Sequence, residues 1–421
     1  MEISQKKRPD YKWVIIAASF VMVFTTLGFC SSTKRLFLGP MTEALGIARS
    51  IYSINDSCRY ITTSVVNLFF GALVAKFGPR RLIGFGFLSL IGSMLMYSLA
   101  SNAAMLYIGG CLLGLGLTMT TTTMVGYVVN IWYKEKRGTV MGVILCANGI
   151  GGALATQILN PIIAQDYRLA YRVVAIVLLT VGVLVVAFFR DAPKGAVLPQ
   201  EPAGKKKPKG DMWSGITLKE ALRKPYFYSA SICIFLTGLC LQSVVGVDNQ
   251  HMIDSGMDKD FAAWTVSIAS LTLAACKFLV GVCNDKKGLK FTMLICDLAA
   301  IGMMLTLALV SDSMLGKGLA VGYSVTSALA QPLETIMLPL IAAELFGEKE
   351  YGKMLGIFVS VNTAGYACGP FLTNLAYDVV GTYTPVLLIY TGIMAVVTAA
   401  FLISQKQADK VKEEMKAAEA A

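Results

Sequence analysis

The sequence predicts an all-α membrane protein in which twelve transmembrane helices form two six-helix halves. Of its 421 residues, 55% are hydrophobic and only 15% are charged, whereas about 25% of the residues of a soluble domain are charged. The apolar residues fall into runs long enough to cross a hydrocarbon core of about 30 Å, which takes about 20 helical residues. An internal repeat divides these runs into two equal sets.

The first six predicted spans belong to an N-terminal half, residues 1–189. They lie near 13–36, 51–74, 82–100, 105–130, 138–162 and 170–189. The C-terminal half, residues 226–404, contains the other six. They lie near 226–247, 261–284, 291–310, 318–344, 351–375 and 384–404.

Residues 190–225 are predicted to form a cytoplasmic basic linker between the halves. This segment includes "APKGAVLPQEPAGKKKPKG", and a chain so rich in Pro, Gly and Lys cannot build a packed core. The cytoplasmic tail, residues 405–421, can continue the last span as an amphipathic helix.

The distribution of lysines and arginines predicts the orientation. Few basic residues fall in the loops on one side of the predicted membrane, namely Arg49, Arg168, Arg172, Lys259 and Lys317. The other side carries the basic N-terminus, the linker and the tail. Because basic residues concentrate in cytoplasmic loops, we expect a multi-pass protein of the cell (inner) membrane with both termini in the cytoplasm.

Two pairs of segments reveal the repeat. "RGTVMGVILCANGIGG" (137–152) matches "YGKMLGIFVSVNTAGYACG" (351–369) at an offset of 214, and "GALVAKFGPRR" (71–81) matches "GVCNDKKGLK" (281–290) at an offset of 210. A duplicated six-helix unit with parallel halves is typical of one class of secondary transporters.

The second pair of segments resembles the signature loop of the major facilitator superfamily, G-x-x-x-D-R/K-x-G-R-R. The first copy departs from it, because Ala75 stands where the acid is expected. We expect both loops to contact helix ends and hold the cytoplasmic side shut. The residues of this gate motif are Gly71, Gly78, Arg80, Arg81, Gly281, Asp285 and Gly288.

The segment "CKFLVGVCND" resembles the eighth span of the monocarboxylate porters and the oxalate/formate antiporters. Lys277 stands where these families carry an arginine, four residues before Gly281. The resemblance implies transport of a small organic anion. Leu273 and Asn362 depart from the pattern, because the first replaces the aspartate of the animal porters and the second falls where the antiporters carry a lysine. Neither family's arrangement of charges is therefore present in the same form.

Lys277 is the first candidate for substrate binding. A lysine at the centre of a membrane helix costs at least about 2.5–3.5 kcal/mol, and Lys277 lies about 12 Å from Asp285 at 1.5 Å per residue. Its side chain either snorkels to the interface, pairs with an acid of a neighbouring helix, or holds a substrate carboxylate in a water-filled cavity. We favour the last interpretation.

Span 10 places Tyr323, Gln331 and Glu334 on one polar stripe. The first two are candidates for substrate binding. Burial disfavours the charged form of a carboxyl, so Glu334 is a candidate for coupling transport to protons. The alternative is a salt bridge, with Lys277 as its partner.

Spans 1 and 2 add further candidates. Arg59 is a candidate for attracting anions and Asp56 for coupling, although the two can simply neutralise each other at i and i+3. Lys34 and Arg35 are adjacent and point about 100° apart on a helix. We therefore expect at most one of them, with Arg35 favoured as substrate-binding, to face the cavity and the other to snorkel outwards.

Hydroxyl and amide side chains complete the predicted cavity. Thr123 and Tyr127 share a face of span 4, and Asn362 and Tyr366 lie one turn apart in span 11. Threonines of membrane helices also bond to their own backbone or join helices, so a structural role for Thr123 stays open. The glycines of span 5 are interpreted as close helix packing.

The sequence does not predict an enzyme, a cofactor, a metal site or a nucleic-acid partner. The ten cysteines lie in apolar segments, and the single histidine, His251, is interpreted as a solvated loop residue near Asp248 and Asp254. The prediction is a secondary active transporter of small organic anions, in particular monocarboxylates, working by proton symport or anion exchange in the lipid bilayer. The alternatives are an exporter of drugs or other metabolites and a transporter-like membrane sensor.

Overall fold

The structure, a computed structural model, describes residues 11–132, 137–190, 216–347 and 351–420. Within these ranges the chain is almost entirely helical, and twelve helices are long and apolar enough to cross a membrane. The side chain of Asp285 and those of a few residues beside the gaps lie outside the description. The predicted all-α fold with twelve transmembrane helices is confirmed.

The helices of the N-terminal half follow one another with short connections. They are α1 (Tyr11–Leu45), α2 (Arg49–Phe77), α3 (Pro79–Leu99), α4 (Ala103–Val129), α5 (Val140–Gln165) and α6 (Tyr167–Phe188). The C-terminal half repeats this arrangement. Its helices are α7 (Pro225–Asp254), α8 (Lys259–Asn284), α9 (Leu289–Ala308), α10 (Met314–Phe346), α11 (Met354–Val380) and α12 (Thr384–Glu413).

Local signals account for the tight turns between helices. The N-caps Asn102 and Ser313 accept hydrogen bonds from Met105 and Gly316, respectively, which satisfies backbone donors that a helix start leaves unpaired. Gly78 and Gly288 adopt φ of 78° and 80° at the α2–α3 and α8–α9 turns. Such a φ favours glycine, and the two positions are related by the offset of 210 found in the sequence.

Two helices extend beyond their predicted ends. The span predicted at 13–36 continues to Leu45, and the span predicted at 226–247 continues to Asp254. His251 therefore does not lie in a solvated loop: it is buried in α7, with Nε2 3.1 Å from the carbonyl oxygen of Leu307. The prediction for His251 was wrong because polar residues were taken as the end of a helix that in fact buries them.

The ends of the linker and the tail also pack against the C-terminal half. Residues 191–215 of the predicted linker lie outside the described part, but the amide of Ile216 donates to the carbonyl of Phe346 at 3.0 Å. A short helix, Leu218–Ala221, follows with a capping box formed by Thr217 and Glu220. The tail continues α12 as a helix to Ala420, as the sequence predicted.

The two halves meet along two pairs of helices, α2 with α11 and α5 with α8. We call the end of the bundle that carries the α1–α2 and α7–α8 loops the distal end, and the opposite end, where α1 begins, the terminal end. In α5, a Cβ placed on Gly149 would lie 2.5 Å from the carbonyl oxygen of Ser270 in α8. The predicted role of the span 5 glycines in close packing is confirmed at this position.

A cluster that we call the distal latch joins the halves at the distal end. The guanidinium of Arg49 forms an ion pair with Asp254, donates to the hydroxyl of Tyr383 at 3.1 Å, and lies 3.9 Å from the ring centroid of Tyr377. The amides of Arg49 and Ser50 donate to the carboxylate of Asp378 at 3.1 and 2.9 Å.

No comparable contact joins the halves at the terminal end among the described residues. Glycines near the terminal ends of the four interface helices have open space where a Cβ would stand. They are Gly71, Gly142, Gly281 and Gly356. The halves therefore enclose a cleft that is closed at the distal end and open towards the terminal end.

We predict that Arg49→Ala opens the distal end. A hydrogen bond to a charged group contributes about 1.5–3 kcal/mol, and the latch exists only in the distal-closed conformation, so we expect a shift of at least about tenfold towards the distal-open one, which is worth about 1.4 kcal/mol. The measurement is the distance between spin labels on Ser101→Cys and Met314→Cys in a background without the native cysteines.

Lys317→Ala is the matched control. It removes a 2.9 Å ion pair with Asp312 at the same end, but both partners belong to the C-terminal half. The label distance should stay that of the parent protein in this variant. Equal distance distributions in the two variants would contradict a latch at Arg49.

Candidate functional site

Lys277 of α8 and Glu334 of α10 lie near each other inside the C-terminal half. Their side chains interact electrostatically, yet they form no direct ion pair among the contacts of the described residues. The Oε1 atom of Glu334 is buried and has no hydrogen-bond partner within the described chain. Both residues are partly buried, and a cation and a carboxyl that lie near each other without direct contact can hold a small ligand or water between them.

An irregular segment of α10 carries Glu334. The helix breaks at Gln331 and Pro332 and continues as a π-helix, Leu333–Met337. Proline removes one backbone donor, and single π-helical turns are frequent at functional sites. α4 breaks at Thr121, which the offset of 210 aligns with Gln331, so the break belongs to both copies of the repeat.

Tyrosines close the space beside Glu334. The hydroxyl of Tyr366 in α11 interacts with the Glu334 carboxyl and with Asn362, one turn away. The ring of Tyr366 lies 5.2 Å from that of Tyr60 in α2, measured between centroids. The structure thus brings four predicted residues, Lys277, Glu334, Tyr366 and Asn362, to one place at the boundary of the two halves.

A second group lies on the distal side of this place and crosses between the halves. Nη1 of Arg35 in α1 lies 2.5 Å from Oδ2 of Asp248 in α7, and Nη2 lies 3.4 Å from the hydroxyl of Ser270 in α8. The hydroxyl of Tyr323 donates to the same Asp248 oxygen at 2.7 Å. The side chains of Arg35 and Asp248 are 8% and 0% exposed, so water compensates neither charge.

A third group lies within the N-terminal half. Nζ of Lys34 lies 2.5 Å from Oδ1 of Asp56, while Nη1 of Arg59 is 3.8 Å from the same oxygen. Nη2 of Arg59 donates to the hydroxyl of Ser31 at 2.8 Å. Asp56 therefore neutralises Lys34 more directly than Arg59, which was the partner weighed at i and i+3.

Both cations of α1 point inwards, so the expectation that one of them snorkels outwards was wrong. The side chain of Lys34 is 7% exposed and that of Arg35 is 8% exposed. α1 is π-helical over Thr26–Ser32 and a 3-10 helix over Lys34–Phe37, so the regular angle of about 100° per residue does not apply there. Each cation also forms an ion pair with a carboxylate, Lys34 with Asp56 and Arg35 with Asp248.

The three groups together carry an excess of positive charge. They contain four cations and three acids, which are Lys34, Arg35, Arg59, Lys277, Asp56, Asp248 and Glu334. Among the contacts of the described residues, Arg59 has its acid at 3.8 Å and Lys277 has no direct ion pair, so these two cations are the least compensated. Such a field between the halves favours an anionic ligand over a cationic one.

Three predicted binding residues lie apart from these charges. Thr123 donates to the side-chain oxygen of Asn67 at 3.2 Å. Tyr127 packs edge-on against Phe70, with 6.3 Å between ring centroids. Gln331 lies at the break of α10, where its amide donates to Ser327 and its carbonyl accepts from Glu334. Their part in binding stays a prediction.

The gate motif lies at the open, terminal end. Nε of Arg80 donates to the carbonyl of Val186 within the N-terminal half at 2.8 Å, and Arg81 is exposed. The side chain of Asp285 lies outside the described residues. Closure of the terminal end by these loops therefore remains a prediction for the opposite conformation.

Sequence reasoning missed Tyr60 and Asp248. Tyr60 had a signal in its position next to Arg59, on a helix that already carried a polar stripe. Asp248 could have been found by requiring an acid for each buried cation, but the span was ended one residue before it.

Comparison with known proteins agrees with this architecture. The family model of the Major Facilitator Superfamily matches residues 14–333 and 244–420. The uncharacterized MFS-type transporter YcxA of Bacillus subtilis is 24% identical, over 94% of this chain and 97% of its own. Monocarboxylate transporter 13 of Bos taurus is 25% identical, over 89% of this chain and 85% of its own.

A solved structure shares the fold. The crystal structure of the nucleoside transporter NupG superposes with a TM-score of 0.71 and covers 94% of this chain and 99% of its own. The two sequences are 15% identical, so this likeness concerns the arrangement of helices alone.

We predict that Asp248→Asn destabilises the protein strongly. The change keeps the shape of the side chain but leaves Arg35 buried without a countercharge, which costs about 3–5 kcal/mol. Adding Arg35→Gln should cost less than the sum of the two single changes. The measurement is thermal unfolding of the purified variants.

Asp312→Asn serves as the control, because Asp312 is 61% exposed and its ion pair with Lys317 is worth at most about 1 kcal/mol. A melting temperature of Asp248→Asn equal to that of Asp312→Asn would show that the Arg35–Asp248 pair is not important for stability.

Proposed function

Because this chain belongs to the Major Facilitator Superfamily of membrane transporters, we propose that it is a secondary active transporter of small organic anions, in particular monocarboxylates. The observation that carries the proposal is the pair Lys277 and Glu334, which are partly buried and interact electrostatically without a direct ion pair among the described contacts. The excess of cations over acids around the cleft supports an anion as the ligand.

In the proposed site, the substrate carboxylate lies between Lys277 and the N-terminal half. An ammonium group on a flexible stem acts as a point charge for such a ligand. The hydroxyl of Tyr366 is placed to donate a hydrogen bond to the substrate, and Tyr60 forms the opposite wall. One carboxylate satisfies one lysine, which fits a monocarboxylate; Arg59 attracts the anion into the cleft without being required to bind it.

Glu334 acts as the internal counter-ion that the substrate displaces. In the empty protein it compensates the charge of Lys277, and in the loaded protein it is free to take up a proton. Asp56 plays the corresponding part beside Lys34 and Arg59. Proton symport and anion exchange both fit this scheme, since each requires that Lys277 is never left without a negative partner.

The contacts at the distal end and the open space at the terminal end support a mechanism of alternating access. We propose that loading of the site lets the halves rock, so that the distal latch separates and the gate motif closes the terminal end. The described residues that flank the linker, and the tail helix, lie at the terminal end, which the positive-inside rule assigns to the cytoplasm. The structure then represents the inward-open state of a cell-membrane protein.

The relatives support the class of substrate without determining it. One relative, of Bos taurus, is named a monocarboxylate transporter, and it aligns with 89% of this chain. A carrier of cationic drugs is disfavoured, because a cation entering the cleft would meet more cations than acids in the three groups.

We predict that carboxylates, and not sugars, amino acid amides or cations, stabilise the purified protein. A ligand at 100 times its dissociation constant raises the free energy of unfolding by about 2.7 kcal/mol. Lys277→Gln should abolish this stabilisation because it removes the charge that holds the carboxylate. The measurement is the shift in melting temperature across the panel, followed by uptake of the best ligand into proteoliposomes.

Lys259→Gln is the matched control, since it makes the same change at an exposed position of the same helix. It should keep the full response to carboxylates. A response that survives in Lys277→Gln, or one that sugars or cations produce, would refute the proposed site.

We predict that Glu334→Gln binds carboxylates more tightly. The change removes the counter-ion that competes for Lys277, and a gain of about 1.4 kcal/mol corresponds to a tenfold lower dissociation constant. The measurement is calorimetric titration with the best ligand of the panel.

The control is Glu344→Gln on the same helix, where Glu344 pairs with Lys412 at 2.5 Å away from the site; its affinity should be unchanged. If Glu334→Gln instead weakens binding as much as Lys277→Gln, then Glu334 contacts the substrate and does not compete with it.

A further inference from the structure

Asp297 of α9 is a buried acid that the proposed substrate site does not use. It lies in the interior of the C-terminal half, about 12 Å from the start of α9 at 1.5 Å per residue, and only 4% of it is exposed. Its carboxyl forms no hydrogen bond or ion pair with a described residue, and no charged group among the described residues interacts with it. Every other buried acid described above has a cation opposite it.

The Asp297 carboxyl faces a small cavity between five helices. The cavity offers about 20 Å³ to the centre of a water molecule, which is enough for one water. Thr237 of α7 and Asn362 of α11 are its other hydrogen-bonding side chains, and the remaining wall is apolar apart from the thiol of Cys233. The site is therefore polar and roomy enough to hydrate or hydrogen-bond a neutral carboxyl.

Among the described residues of the helices packed around Asp297, no cation compensates its charge. The titratable groups nearby are thiols. Those of Cys233 on α7 and Cys296 on α9 itself interact electrostatically with Asp297. Those of Cys276 and Cys283 on α8 interact with Cys296. α10, α11 and α12 face the cavity with uncharged side chains, among them Leu333, Asn362 and Phe401.

A lone carboxylate in such surroundings is far less stable than the neutral acid. We propose that Asp297 is a proton-binding site in a side cavity of the C-terminal half, separate from the cleft, and that transport driven by a pH gradient requires its proton in addition to the one that Glu334 can take up. The neutral acid needs a single hydrogen-bond acceptor, which the side chains of Thr237 and Asn362 or one water can supply.

Two residues connect this cavity to the cleft. Leu333 lines the cavity and precedes Glu334 in the π-helical segment, and Asn362 lines the cavity while it interacts with Tyr366. Loss of the proton would place a charge in the cavity, draw in water and disturb the packing of α9 against α10. The segment that carries Glu334 would move with that change, so this coupling rests on the proposed function.

A proton fits the site better than a metal cation does. A hard cation requires several oxygen ligands, and the described residues contain no cluster of three His, Cys, Asp or Glu side chains. The cavity itself supplies a single carboxylate with one hydroxyl and one amide. Sodium is therefore the competing ion that the test must separate from the proton.

The first experiment needs no substrate. Infrared difference spectra of wild type minus Asp297→Asn, recorded in D₂O from acid to alkaline pH, should show the carbonyl band of one protonated carboxyl in wild type. This band should persist at a pH at which exposed acids are ionised and should disappear in the variant. Asp312→Asn, which changes an exposed acid, should leave the band intact. Spectra of wild type and Asp297→Asn without this difference would overturn the assignment.

The second experiment tests coupling in proteoliposomes with the best carboxylate of the panel. Asp297→Asn mimics the protonated acid, so we expect exchange of labelled for unlabelled substrate to continue while accumulation driven by a pH gradient falls to the level without a gradient. Asp297→Glu should retain part of the gradient-driven accumulation. Accumulation in Asp297→Asn that equals wild type, or that follows a sodium gradient, would overturn the proposal.

The two proposals fail in distinguishable ways. If wild type transports no carboxylate, the proposed function fails, whereas the infrared band still decides whether Asp297 binds a proton. If carboxylates are exchanged but the band is absent, the transport function stands and Asp297 is not the proton site.

Discussion

A charged side chain at the centre of a membrane helix costs about 2.5–3.5 kcal/mol on insertion scales, and the cost persists unless a partner or water compensates the charge. Most charges inside this protein meet that requirement directly: Lys34 pairs with Asp56, and Arg35 pairs with Asp248. Lys277 does so only at a distance, through Glu334. The incomplete compensation of this one cation is the feature on which the proposed anion site depends.

The contacts between the halves differ in kind from the contacts within them. Across the interface, ion pairs and hydrogen bonds such as Arg49 with Asp254 and Ser53 with Asn374 predominate at the distal end. Water can replace such contacts at a small net cost, because a hydrogen bond contributes only about 0.5–1.5 kcal/mol net. Each half is held by buried apolar side chains that water cannot replace. The halves can therefore separate at one end while each remains intact.

The two copies of the repeat share their backbone geometry but differ in their charged side chains. The turns at Gly78 and Gly288 have the same geometry, and α4 and α10 break at equivalent positions. At the same offset of 210, Lys277 aligns with Asn67, and Asp297 aligns with a phenylalanine. The C-terminal half thus carries the isolated charges, and the N-terminal half offers neutral polar groups and the paired cations of α1 and α2. The proposed site is therefore asymmetric between the two halves.

The sequence by itself determined the twelve spans, the repeat and the candidate residues Lys277, Glu334 and Tyr366, because hydropathy, spacing and the cost of a buried charge are local properties of the chain. It could not determine which acid forms an ion pair with which cation. Asp248 was left outside its span, and Lys34 was expected to point away, because a pair such as Arg35 with Asp248 joins residues 213 positions apart. Only the packing of α1 against α7 brings these side chains together. The same packing gives Asp297 no hydrogen-bond or ion-pair partner among the described residues, and no spacing along the chain can reveal such an absence.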